Sequence, residues 1–366
     1  MANTVTSTPN AVIIERLDSL FSERYSPSDK AAPGGAIIIS SGDNPIYEAY
    51  FGVADMNSRV PIGPETTFNI ASVSKQFTVV GLLQLAAKGL VDINAPLSEW
   101  FGKEYPQQFW HTVTPAHIAS QSSGIPDSRD RSNREACIFA TDQSSEVYFP
   151  KIESLRFKPG TTYDYVNPTF ILLSKIIERI SGKEFTVYQQ ENIFDRAGMN
   201  DSYYFSPDRT PLNQSHAYRP DSNSPDGWSK YDYGEETFFA TRPDGGIYST
   251  ARDIVRWETA LRNGLILPKE WLDEAYRPHT DVSSSQWCDY QRRPYTSYAL
   301  GWFVEEKPGQ PVKVFHTGDN GGYQTYVAKY PSCDLSVIVL ENRHDRPRRE
   351  MAEKIEQILL EEKLLK

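Results

Sequence analysis

Apolar positions near the start of the chain, Val12, Ile13, Leu17, Leu20 and Phe21, recur at helical spacing and predict an amphipathic helix over 11–25. Gly34 and Gly35 then release a short apolar run, AIIIS, and after a turn at 42–45 a second run, IYEAYFGVAD, follows. Two such runs around a Gly/Asp/Asn/Pro cluster read as a β-hairpin. The stretch 68–78, FNIASVSKQFT, changes period: small, cap-prone Asn69, Ala71 and Ser72 precede an apolar helix over 75–88. A short helix over 114–120 starts with Pro115 and is broken by QSSGIP. Pro168 and Gly182 bracket a strong helix, PTFILLSKIIERISG, with another over 187–198. Segment 201–241 has little periodicity and much Pro, Asp, Ser, Tyr and Trp, the pattern of a functional loop system or lid. Ser249 or Thr250 can cap the next helix, TARDIVRWETAL. Four strand-like runs, 298–305, 312–316, 323–330 and 335–341, predict an antiparallel meander before a closing helix over 349–365.

Strands at both ends and a helical, loop-rich middle suggest an α+β chain. The early hairpin and the late meander share one antiparallel sheet, with terminal helices on one face. The expected division is a discontinuous sheet domain, 1–75 with 242–366, and a mainly helical domain, 76–241. The default place for chemistry is between them.

Composition narrows the function. The 366 residues allow a large core, and a net charge of −10 without a basic block argues against nucleic acid as partner. RPRR at 346–349 reads as a solvated flank of the last helix. Cys137, Cys288 and Cys333 are far apart and odd in number, and the six histidines lack ligand spacing, so no metal is expected. No glycine pattern implies a nucleotide or flavin, and the expected cofactor set is none. No stretch is long and apolar enough to span a bilayer, and the N-terminus lacks a signal-peptide pattern. The expected location is cytoplasmic as written, or periplasmic or secreted if a leader was removed. Oligomeric state is not encoded in any pattern here.

Three local motifs carry chemistry. Ser72 and Lys75 are three residues apart and share one face of a starting helix. Initial helical N–H groups lack intrahelical partners, so the serine hydroxyl lies beside a donor for a developing oxyanion. A lysine one turn on can accept its proton once burial or a neighbouring cation lowers its pKa. Tyr165-Val166-Asn167 closes a loop, and His316-Thr317-Gly318 lies on the second late strand with Gly321 and Gly322 behind it. Taken singly, Tyr165 is a half-buried aromatic, Asn167 a helix cap and His316 a core histidine. Together and in this order they carry more.

In this order they resemble the S-x-x-K, Y-x-N and K/H-T-G triplet of serine β-lactamases and penicillin-binding-protein-like hydrolases. The likeness extends through IASVSKQFTVVGLLQLAAKGLVDINAPL, FKPGTTYDYVNPTFILLSKIIERISG, GGIYSTARDIVRW, YALGWFVEE and HTGDNGG. It points to the class C β-lactamase-related family, which includes D-aminopeptidases, D-alanyl-D-alanine carboxypeptidases, esterases and some acyltransferases. The resemblance implies a β-lactamase/transpeptidase-like fold and a small-molecule or short-peptide substrate. It implies Ser72 as nucleophile, with Lys75 and Tyr165 exchanging its proton and Tyr165 favoured as base. Asn167 would hold Lys75 and the substrate amide, and the N–H groups of Ser72 and Asp319 would form the oxyanion hole. His316 would take the cationic position of the third motif, with Thr317 and Gly318 lining the substrate.

Two departures bear on substrate. His316 stands where dedicated β-lactamases have lysine, and Asp319 places a carboxylate after the motif, so an anionic substrate is disfavoured. Gln121 replaces a histidine frequent in relatives and suggests a packing role. The aromatics Tyr218, Trp228, Tyr231 and Tyr233 could line an acyl pocket or pin a loop. The expectation is a serine hydrolase acting on an ester or amide through a Ser72 acyl-enzyme (esterase, D-aminopeptidase or β-lactamase-like). An acyltransferase using the same acyl-enzyme, or a non-catalytic binding protein of this fold, is the alternative.

Overall fold

A computed structural model of the chain describes residues 9–25, 31–105, 107–129, 141–206, 213–231, 242–282 and 294–366. Its centre is an eight-stranded antiparallel sheet. In chain order the strands are β1 (Gly35–Ser41), β2 (Asn44–Phe51), β3 (Thr280–Asp281), β4 (Thr296–Tyr298), β5 (Phe303–Glu305), β6 (Lys313–Asn320), β7 (Tyr323–Tyr330) and β8 (Leu335–Glu341). Their spatial order is β3-β4-β5-β6-β7-β8-β1-β2, so the first hairpin joins the late meander through β1 and β8. The register sets Ile37 opposite Val339 and Ile39 opposite Val337.

Successive side chains on a strand point to opposite faces, and here both faces are covered. Ile37, Ile39, Val337 and Val339 pack with Ile13, Leu17 and Phe21 of α1 (Pro9–Tyr25) and with Ile355 and Leu359 of α5 (Arg348–Glu361). Ala36, Ile38, Ile338 and Leu340 face the helical layer, which includes α2 (Ser74–Ala87), α3 (Phe170–Ser181) and α4 (Ala251–Arg262). That double burial is why AIIIS is continuously apolar. In the second layer Phe77 stacks on Trp257 with ring centroids 4.0 Å apart, joining α2 to α4. Among the described residues, no helix is long and apolar enough to cross a membrane.

The run 298–305 is not one strand. Ala299 N–H bonds to the Trp302 carbonyl at 2.7 Å, and Gly301 adopts φ +88°, so a tight turn separates β4 from β5. A β-carbon at Gly301 would lie 3.0 Å from Val79 on α2, which locks this turn against the helix that starts beside Ser72. Segment 201–241 is a set of short pairings in its described part. Tyr218–Pro220 pairs with Trp228–Lys230, and the Tyr218 hydroxyl donates to Asp55 at 3.1 Å. Arg343 stacks over Trp228 and Arg219 over Tyr231. These aromatics pin the segment; Tyr233 lies outside the described residues, as do Cys137 and Cys288.

One buried cluster ties α1 to the sheet. Arg24 makes two bonds to Glu341, at 2.6 and 2.7 Å, and the Tyr25 hydroxyl donates to the same carboxylate at 2.7 Å. Removing one partner of a buried ion pair leaves the other charge uncompensated. Glu341→Gln should therefore lower unfolding free energy by about 3–5 kcal/mol, read from urea midpoints at constant slope.

Candidate active site

Ser72 sits in a 3₁₀ turn, Ala71–Val73, that runs directly into α2. Ala71 just before it is held at φ +47°, a left-handed conformation that a residue with a β-carbon enters at a cost. The Asn69 side-chain oxygen accepts the Ala71 N–H at 2.8 Å and fixes that turn. The result presents Ser72, partly exposed, at the head of an otherwise buried helix.

Lys75 is fully buried, and its Nζ lies 3.0 Å from the Ser72 hydroxyl oxygen. The same Nζ donates to the Asp244 carbonyl at 2.8 Å and stands 3.9 Å from the Asp244 carboxylate. The Tyr165 and Phe170 rings flank it, with centroids 4.9 and 5.4 Å away. Burial strips water from the ammonium and pulls its pKa down to about 7, while Asp244 opposes the fall and Arg129 adds to it. Near neutral pH the amine is thus divided between charged and neutral forms, and the neutral form can accept the serine proton across the same contact.

Segment 243–247 is stitched onto α2. Thr78 donates to the Pro243 carbonyl at 2.6 Å, Lys75 to that of Asp244, and Ile247 N–H donates to Ser74 at 3.2 Å. Tyr165 is held from both sides by Gln121, whose carbonyl accepts Asp164 N–H and whose side chain accepts Val166 N–H, each at 2.8 Å. Gln121 therefore aims the loop bearing Tyr165, a more specific task than packing. Asn167 opens the 3₁₀ turn Asn167–Thr169, and its buried side-chain oxygen takes no hydrogen bond among the described residues. The expected bond from Asn167 to Lys75 is not made; the Asp244 carbonyl and Ser72 take that role.

The third motif also differs from expectation. His316 is fully buried on β6, with Nδ1 2.7 Å from the Thr317 carbonyl and Nε2 2.9 Å from the Tyr298 hydroxyl. A carbonyl only accepts, so Nδ1 carries the proton and Nε2 accepts from Tyr298. Burial, then the charge of Lys75, push the imidazole down to about 3, so it is neutral and cannot fill a cationic position. Thr317 is buried beside it. Gly318 lets β6 lie against the nucleophile turn: a β-carbon there would meet the Ile70 carbonyl at 2.4 Å and Ala71 Cβ at 3.0 Å. Asp319 is exposed and ion-paired to Arg348 in the first turn of α5. Its charge is balanced, and Arg348 is a partner of the site's rim where a solvated flank was expected.

Ser72, Lys75, Tyr165 and His316 are thus brought together, with Gly318 against the Ser72 turn; Asp244, Gln121 and Tyr298 are additions that the motifs do not name. Among the described residues, no group of three or more His, Cys, Asp or Glu side chains is placed to hold a metal ion.

A family model described as Beta-lactamase matches residues 13–360. The chain is 26% identical to Penicillin-binding protein 4* of Bacillus subtilis over 87% of its own length and 70% of that protein. It is 25% identical to the D-alanyl-D-alanine-carboxypeptidase/endopeptidase AmpH of Escherichia coli, covering 85% of this chain and 80% of that one. Among solved structures, a penicillin binding protein from Bacillus halodurans superposes with a TM-score of 0.76 at 25% identity, over 94% of this chain and 98% of that one.

Proposed function

Because the chain belongs to the Beta-lactamase family of serine hydrolases, we propose that it cleaves an ester or amide through an acyl-enzyme on Ser72, with an acyl donor that lacks a recognition carboxylate. The observation that carries the chemistry is the 3.0 Å contact between Lys75 Nζ and the Ser72 hydroxyl. Neutral Lys75, in place of the Tyr165 favoured from sequence, takes the hydroxyl proton as the oxygen attacks the carbonyl carbon, since its Nζ touches that hydroxyl. The same proton then passes to the leaving group, with Tyr165 beside the ammonium as the second proton carrier. The backbone N–H groups of Ser72 and Asp319 serve as donors to the developing oxyanion. Water completes the cycle by attacking the acyl-enzyme.

The substrate reading follows from His316. A neutral imidazole whose two nitrogens are both engaged offers no cation to a substrate carboxylate. Neutral esters and D-amino acid amides fit this site better than cephalosporins or peptides ending in a free carboxylate. His316→Lys is expected to raise the cephalosporin-to-ester ratio of kcat/KM about tenfold, the ratio that ~1.4 kcal/mol of new charge-assisted contact provides. An unchanged ratio would remove His316 from the argument.

The direct test treats the protein with a fluorophosphonate and maps the adduct by peptide mass. A nitrophenyl ester, a D-alanine nitroanilide and a chromogenic cephalosporin are compared in parallel. An adduct on Ser72 with turnover of the ester or anilide supports the reading. No adduct would favour a binding protein of this fold, and an adduct without hydrolysis of any of the three would favour acyl transfer.

A further inference from the structure

We propose that the Asp244 carboxylate is a positioning group for the reaction, holding Lys75 in register with Ser72 and keeping its amine basic enough to take the serine proton. This rests on the acyl-enzyme reading above. The geometry is specific. Asp244 occupies a short helical turn, Arg242–Gly245, whose neighbours are bonded to α2 through Thr78 and Ser74. That stitching sets both the carbonyl and the carboxylate of Asp244 on Lys75, at 2.8 and 3.9 Å, with both side chains buried.

The groups facing Lys75 divide by sign. Among the described residues, Asp244 is the carboxylate that acts on it. Arg129, from the loop after the helix Pro115–Ala119, opposes it with positive charge. Tyr165 offers a ring face, Ser72 a hydroxyl, and His316 on β6 a neutral imidazole. Asp142 is pushed up to about 8 by burial and then by Asp244, against the opposing charge of Arg242, and the carboxylate charge that acts on Lys75 is that of Asp244. Without that charge a lysine buried among aromatic rings would lose its proton well below neutrality and become a weak base.

The sign of the effect is fixed. Wild-type labelling of Ser72 should rise with pH through a midpoint near 7 as Lys75 deprotonates. Asp244→Asn keeps the backbone carbonyl but removes the charge, so the midpoint should fall by about 1–2 pH units. The rate at pH 6, as a fraction of each protein's own plateau, should then rise from about a tenth to more than half, while the plateau drops. Asp244→Glu should return the midpoint towards 7. A purely structural role would scale the rate at every pH and leave the midpoint in place.

The experiment measures fluorophosphonate labelling of Ser72 from pH 5 to 9 in wild type, Asp244→Asn, Asp244→Ser and Asp244→Glu, with thermal unfolding of each. The serine variant makes the same comparison with less volume should the asparagine not fold. A lowered midpoint in either neutral variant supports the proposal. Unmoved midpoints with wild-type labelling intact overturn it alone, whereas no labelling of wild type overturns the acyl-enzyme reading and this one with it.

Discussion

Ser72→Ala, Lys75→Met and the double variant will all fall to one common floor of ester turnover, at least about 10³-fold below wild type. The contact at 3.0 Å makes nucleophile and base a single device: a hydroxyl with no acceptor is a poor nucleophile, and an amine with no hydroxyl has nothing to activate. Effects of such a unit do not add, so the double variant should be no slower than either single one. If it were slower by the product of the two effects, Lys75 would act on something other than Ser72. Stability should separate the variants that activity does not. Ser72 is partly exposed, and losing its hydroxyl should cost less than about 1 kcal/mol. Lys75→Met removes the cation facing buried Asp244 and should cost about 3–5 kcal/mol, much of it restored by adding Asp244→Asn without any return of activity. Chemical denaturation and steady-state assays on the same preparations decide both points.

Gly318→Ala should cost about 10²-fold in kcat/KM while leaving a folded protein. The new methyl would meet the Ile70 carbonyl at 2.4 Å, and that atom is backbone in the turn that carries Ser72. Either β6 retreats or the turn does, and a shift near 1 Å between nucleophile and substrate-lining strand costs about two orders of magnitude. Overpacking of this kind should lower stability by about 1–3 kcal/mol. The control is Gly309→Ala: Gly309 is at φ +74° with no atom near its β-carbon position, so it should show a small stability loss and normal kcat/KM. Equal activity in both variants would mean that β6 does not bear on catalysis.

Much of this arrangement is legible in sequence because its parts are local. Ser72 and Lys75 share a helix face by spacing alone, and AIIIS announces a strand covered on both sides. Tyr165, Asn167 and His316 are each ambiguous singly, yet their order fits one architecture. Other features depend on neighbours that spacing cannot supply. Asp244 reads as an ordinary turn acid before two glycines; only the bonds from Thr78, Lys75 and Ile247 show that it is buried against the lysine. His316 reads as a titrating group until Tyr298 and its own chain engage both nitrogens. Asp319 reads as a repelling charge until Arg348, 29 residues later, balances it. The run 298–305 hides a turn because Ala299, Leu300 and Trp302 are buried on both sides of it.

The pairing of β1 with β8 also governs how the chain is made. Strand β1 ends at Ser41, and its partner ends at Glu341, so an emerging polypeptide exposes a sticky apolar strand long before its mate is synthesised. Such distant pairings slow folding and leave intermediates open to association. The Arg24–Glu341 bond closes the same interval, and the Arg16 pairs with Glu361 and Glu362 extend it to the last helix. Acquisition of the native sheet therefore waits until β8 has emerged. Chains stopped before β8 should be held by chaperones or aggregate, however sound their helical layer.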